Sequence, residues 1–146
     1  MKVAGVLAIA QPPHRVAAAL HDPAVLRLML PACEGVDPVG PGRFKARIAR
    51  KVGPLTLRVE PDIVLAPAAD GQGLNLTVEA TSRIVGSLSA VMALTLQGEG
   101  DGTRFTWDGQ MVTTGLAQRL LSERMDQIEA RVTTLFTTLK HVVERG

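Results

Sequence analysis

The stretch Thr103-Arg104-Phe105-Thr106-Trp107-Asp108-Gly109-Gln110-Met111-Val112, which passes through Thr114-Gly115 into Leu116-Ala117-Gln118-Arg119-Leu120-Leu121, decides the fold. Over its first part Phe105, Trp107 and Met111 share one face, with Gly109 between them. That is the two-residue period of a strand. From Leu116 the period changes. Leu116, Leu120, Leu121, Met125, Ile128, Val132, Leu135, Phe136, Leu139, Val142 and Val143 recur at spacings of three and four, the pattern of an amphipathic helix. A helix of about 30 residues is about 45 Å long. It can cross the whole concave side of a curved sheet. A long helix gripped by antiparallel strands often encloses an apolar pocket rather than a catalytic constellation.

Turn chemistry divides the rest of the chain. A first strand is expected from Lys2 to Gln11, with Val3, Gly5, Leu7 and Ile9 on one face. Pro12-Pro13 ends it and opens a short helix to Leu20, because proline suits a first helical turn. Val16, Ala17 and Leu20 lie on one side of that helix. Asp22-Pro23 reads as an N-cap with proline at the next position, starting a second short helix that Pro31 stops. Strands are then expected over Arg43 to Val52, Leu55 to Leu65, Leu74 to Ser82 and Ser87 to Gln97. Glycine-rich breaks separate them, and such breaks suit hairpins. Consecutive hairpins with no crossover helix give an antiparallel meander. The expectation is one domain, residues 1–146, of the α+β class. It has a helix-grip fold: a curved antiparallel sheet of about seven strands, two short helices and a long C-terminal helix.

Composition narrows the function. A single cysteine, Cys33, excludes an internal disulfide. A net charge of +2 does not itself imply nucleic acid, and with three Phe, one Trp and no Tyr there is no base-stacking platform. Met1-Lys2 followed by Val3 to Ala10 resembles a secretion signal but is shorter than the roughly 15–30 residues such a signal needs. The same residues alternate as a strand. The apolar run Ile84 to Leu96 is too short to span a bilayer and contains Gly86, Ser87 and Ser89. A soluble, cytoplasmic chain is expected, with a peripheral position at the inner face of the membrane as its extension.

No catalytic set emerges. His14 and His21 have no cysteine beside them to complete a metal site, and His141 suits the negative end of the last helix. Cys33 has no base fixed beside it, which leaves a packed thiol. The glycines from Gly98 to Gly102 precede a strand, not a helix, and lack a following Lys-Ser or Lys-Thr, so they form a turn and not a phosphate loop. No metal, cofactor or catalytic residue is expected. Two features remain. Arg43, Lys45, Arg47, Arg50, Lys51 and Arg58 occur with no acidic residue between positions 43 and 58. Arg43, Lys45 and Arg47 oppose Phe44, Ala46 and Ile48. They form either an ordinary solvated sheet face or a docking patch for an acidic protein or anionic headgroups. Phe44, Met92, Phe105, Trp107 and Met111, with Leu120, Met125 and Ile128 of the helix, either fill the core or line a cavity beneath the helix. The mouth of such a cavity is expected at Ser82 to Ser87, with Arg83 as a polar contact at its rim.

Four motifs in order resemble a known family. Leu30-Pro31-Ala32-Cys33-Glu34-Gly35, Val52-Gly53-Pro54, Gly102-Thr103-Arg104-Phe105-Thr106-Trp107 and Thr114-Gly115-Leu116-Ala117-Gln118-Arg119-Leu120-Leu121 are similar to the CoxG family of carbon monoxide dehydrogenase proteins. That family belongs to the START-like (SRPBCC) superfamily. Two positions depart from its pattern. Ala32 stands where the family usually has glycine, and Val59-Glu60-Pro61 stands where Phe-x-Gly is common. The resemblance implies a helix-grip cavity and a non-enzymatic accessory role beside a molybdenum hydroxylase of the carbon monoxide dehydrogenase type. A lipid or quinone in the cavity would link that enzyme to the membrane or its electron acceptor. Two other functions fit the superfamily: a small enzyme of the cyclase or dehydratase kind, and a ligand-free assembly factor. The enzyme would need polar groups pointing into the pocket.

Overall fold

The fold is built on one eight-stranded antiparallel sheet in the computed structural model, which describes residues 1–83, 86–115 and 125–146. The elements run β1 (Lys2–Ile9), α1 (Pro13–Leu20), α2 (Pro23–Met29), β2 (Cys33–Gly40), β3 (Arg43–Val52), β4 (Leu55–Val59), β5 (Asp62–Pro67), β6 (Gly73–Ser82), β7 (Gly86–Glu99), β8 (Gly102–Thr114) and α3 (Met125–Arg145). The strand order is β1-β8-β7-β6-β5-β3-β2, with β4 paired to β3 alone. The part of the long helix expected before Met125, including Leu116, Leu120 and Leu121, lies outside the described residues.

Local sequence explains the helical prelude. Asp22 accepts from the Ala24 backbone N–H at 2.9 Å, satisfying a donor at the start of α2 that no helical carbonyl reaches. Val16 and Leu20 of α1, with Val25, Leu26 and Met29 of α2, turn inward into the common core.

Two expectations need correction. Cys33–Gly40 is a strand, although Glu34-Gly35 and Asp37-Pro38 are poor strand formers. Edge position explains this. β2 pairs only with β3, through a register that shifts between Cys33 and Gly35 and again between Pro38 and Gly40, so proline and glycine are tolerated. The expected single strand Leu55 to Leu65 is two strands, β4 and β5, divided at Glu60-Pro61. Pro61 has no N–H to give, yet its carbonyl accepts from Ala46 at 3.0 Å and hands β3 on to β5.

The ends of the sheet matter for function. β3, β6 and β8 run in one direction, because β3 and β6 both oppose β5, and β6 and β8 both oppose β7. The Gly53-Pro54 turn, the connection after Ser82 and the exit at Gly115 therefore lie at one end of the sheet. The turns at Gly40–Gly42 and Asp70–Gly73 lie at the other.

A polar clamp fastens α3 to the free edge of β1. Lys140 Nζ donates to the Ala8 carbonyl at 2.6 Å, and Glu144 Oε2 accepts from the Ala10 N–H at 2.8 Å. Lys140 and Glu144 also pair with each other at 3.0 Å, one helical turn apart. The Ala10 N–H, and after it Lys140, hold the Glu144 carboxyl below the usual value of 4.5. A depressed carboxylate pKa stabilises the fold above the unfolded-state pKa, and that contribution is lost as pH falls through the folded-state value. Glu144→Gln is expected to lower the urea midpoint at neutral pH, and the gap to the parent should close in acid, where both chains carry a neutral side chain. Urea titrations across that pH range check it.

The Ala32 backbone sits in the left-handed region, at φ 55°, where its Cβ crowds the following carbonyl. Ala32→Gly is expected to raise stability by about 1 kcal/mol by relieving that strain. Ala32→Val should lower it. Chemical denaturation of the three chains reads the order directly.

Candidate ligand-binding site

The candidate site is the face of the sheet that meets α3. Cross-strand register aligns it in rows: Gly5, Trp107 and Leu94 in one, Val3, Gly109, Met92 and Leu76 in the next. Ala90 and Met111 pair in the row beyond. Every side chain in these rows is apolar. The strand alternation places them together because residues two apart share a face.

Trp107 and Phe105 are the best buried of the expected lining residues, at 2% and 0% exposure. Both meet Phe136 of α3, with ring centroids 4.8 Å from Trp107 and 5.0 Å from Phe105. The tilted geometry is the favourable one for aromatic pairs. Gly5 makes the arrangement possible: a Cβ there would lie 2.1 Å from the Trp107 ring. Gly109 serves Met92 in the same way, since a Cβ would meet the Met92 Cγ at 2.6 Å and the Val91 carbonyl at 2.2 Å.

The remaining expected residues divide by position. Phe44, Met92 and Ile128 are buried in the same apolar cluster, and Met111 is half-buried against it. Leu120 and the Met125 side chain lie outside the described residues. Arg83 is exposed after the end of β6, at the end of the sheet where the mouth was expected, and residues 84–85 lie outside the described residues. Phe136 was legible as part of the helical stripe, but only tertiary packing brings it against Phe105 and Trp107.

Burial along the face is graded. Toward α1 and α2 the floor is closed by Val3, Ile9, Leu94 and Phe105. Toward Ser82 and Thr114 it is half-buried, through Val78, Ala80, Leu88 and Met111. A groove of about 540 Å³ opens at the opposite end, between α1 and the ends of β6 and β7. Pro13, Ala17, Leu74 and Leu96 wall it, with His14, Gln72 and Gln97 among its lining residues. None of the expected lining residues borders that groove.

The electrostatics are plain. Thr103 is the buried polar side chain of the described core, and its hydroxyl donates to the Gln11 carbonyl at 2.7 Å. Among the described residues no buried side-chain polar atom lacks a partner, and no three His, Cys, Asp or Glu side chains stand together as a metal site would need. Cys33 is half-buried, and its thiol donates to the Gly35 carbonyl. No helix of the described residues is long and apolar enough to cross a membrane.

On the outer face, Arg43, Lys45 and Arg47 are all exposed, but acids from neighbouring strands stand among them. Register sets Lys45 opposite Asp37 on one side and Asp62 on the other, and Arg47 pairs with Asp37 at 3.4 Å. Arg58 reaches Glu34 at 3.1 Å. The run reads as acid-free only along the chain, because these acids belong to β2, β5 and their flanks.

Comparison with solved structures places this architecture among helix-grip, START-like proteins. A conserved protein from Geobacillus kaustophilus superposes with a TM-score of 0.80 at 15% identity, covering 99% of this chain and 96% of its own. The Zhui aromatase/cyclase from Streptomyces sp. R1128 gives 0.68 at 19% identity, covering 99% and 94%. Ara h 8.0201 gives 0.66 at 16%, covering 100% and 99%. At such identities the likeness concerns the fold alone. No curated protein sequence matches the chain significantly. Residues 5–144 match the family model of the carbon monoxide dehydrogenase protein CoxG, and the chain belongs to that family.

Removing the aromatic contact tests how far it holds sheet and helix together. Phe136→Ala is expected to cost about 3–5 kcal/mol, the range for deleting a buried aromatic side chain. Phe136→Leu should cost distinctly less. Guanidinium unfolding followed by Trp107 fluorescence measures both.

Proposed function

We propose that this protein is a non-enzymatic accessory of a molybdenum hydroxylase of the carbon monoxide dehydrogenase type. In this reading it holds an apolar molecule, a lipid or a quinone, between α3 and the sheet, and helps couple the enzyme to the membrane or to its electron acceptor. The observation that carries the reading is the inner face of the sheet, apolar in every described row and graded from closed to half-buried. Such a surface binds by burial of apolar area and offers no acid, base or nucleophile to a reacting substrate. Family membership supports the accessory role.

Met111 and Ile128, with Leu120 and Met125, would border the ligand at the half-buried end, and Arg83 would stand at the rim. Phe105 and Trp107 would close its floor. Methionine suits such a wall because its flexible thioether adapts to irregular shapes.

Native mass spectrometry of the purified protein, followed by organic extraction, tests this. A quinone or lipid near one-to-one is the expected result, or uptake of added menaquinone or fatty acid by an empty protein. Met111→Arg, which puts a charge on the apolar floor, should abolish uptake. Exclusion of every apolar ligand would favour the assembly factor with a filled core. Turnover of a bound polyketide would favour the cyclase reading instead.

A further inference from the structure

The β3–β4 hairpin projects from the sheet and combines two exposed features. β4 pairs with β3 alone, and Val52 opposes Leu55 across the two-residue turn Gly53-Pro54. Gly53 has φ 61°, and an added Cβ would meet nothing within 4 Å, so the turn stands in open solvent. Leu55 is 61% exposed beside it. Behind the tip stand Arg50 and Lys51, both exposed and making no ion pair among the described residues. They differ in this from Arg47 and Arg58, which acids engage. Arg50 opposes Leu57 and Lys51 opposes Thr56, so the two cations lie on opposite faces of the hairpin.

We propose that this hairpin docks the protein onto an anionic lipid bilayer, with Pro54 and Leu55 entering the interface and Arg50 and Lys51 resting on the headgroups. The proposal rests on the membrane role argued above and names its surface. Arg50 lies two residues behind the Val52–Leu55 pair, or about 7 Å at the rise of a strand. That matches the roughly 5–10 Å to which apolar groups enter the headgroup boundary while long basic side chains stay at its surface. A convex tip with a cation on each face fits a medium that surrounds it. A folded protein would need a socket for Leu55 with acids on both walls. The hairpin also lies at the same end of the sheet as Ser82 and Gly115, so docking would turn that end toward the lipid.

Sedimentation with vesicles of phosphatidylcholine and phosphatidylglycerol in equal parts, against phosphatidylcholine alone, is the test. The parent chain should bind the anionic vesicles and be released by salt. Lys51→Ala should lower the partition coefficient about five-fold, the effect of one cation at an anionic surface. Leu55→Asp should abolish binding. Arg104→Ala, which removes an exposed cation from the outer face of β8, should leave it unchanged. Leu55→Trp should gain blue-shifted emission on the vesicles over the constant signal of buried Trp107. Undiminished binding by Lys51→Ala and Leu55→Asp would overturn the hairpin and leave the membrane role standing. Binding without the blue shift would overturn insertion. No binding to either vesicle by the parent chain would overturn both, most clearly if Leu55→Asp then blocked capture of the molybdenum hydroxylase.

Discussion

The Trp107 ring lies over Gly5 on the strand beside it and meets Phe136 of α3 above. Much of the rest depends on this stack. It sets how closely α3 approaches the sheet, and it joins β1, β8 and the helix across long separations in sequence. A side chain at Gly5 would lift the indole off its strand. Loss of Phe136 would leave a cavity that close-packed neighbours only partly fill. The Lys140–Glu144 clamp secures the same helix further along, by giving polar partners to the edge groups of β1 at Ala8 and Ala10. Packing and edge protection thus fall on one helix, and an exposed strand edge is covered in the process.

This anchoring is uneven along the sheet, and the unevenness is what gives the fold a functional direction. Near α1 and α2 the inner face is sealed by Val3, Ile9 and Phe105. Near Ser82 and Thr114 its side chains are half-buried. The projecting β3–β4 hairpin stands at that same end. Membership of the CoxG family gives this polarity a natural use, since an apolar molecule exchanged with a membrane must pass through one end of the protein.

Much of this was legible from residue order. Val3, Gly5, Leu7 and Ile9 declared a strand, and Asp22-Pro23 announced the start of α2. The stripe from Ile128 to Val143 declared α3. The misreadings have a common cause. Cys33–Gly40 carries residues that disfavour strands, and only its edge position makes them tolerable. Glu60-Pro61 interrupts a run that looked continuous, because the missing proline N–H matters only once β3 is alongside. The basic run looked unopposed because Glu34, Asp37 and Asp62 reach it from other strands or their flanks.

By itself, then, the sequence determined the element types, the apolar face of each element and the absence of a recognisable catalytic motif. These follow from period and turn chemistry, which act over a few residues. Tertiary structure alone decided which faces meet. It brought Phe136 to Trp107, set acids beside Lys45 and Arg47, and left Arg50, Lys51 and Leu55 without such neighbours. The physical reason is that strand register and helix placement pair residues far apart in the chain, and charge balance and burial belong to those pairs.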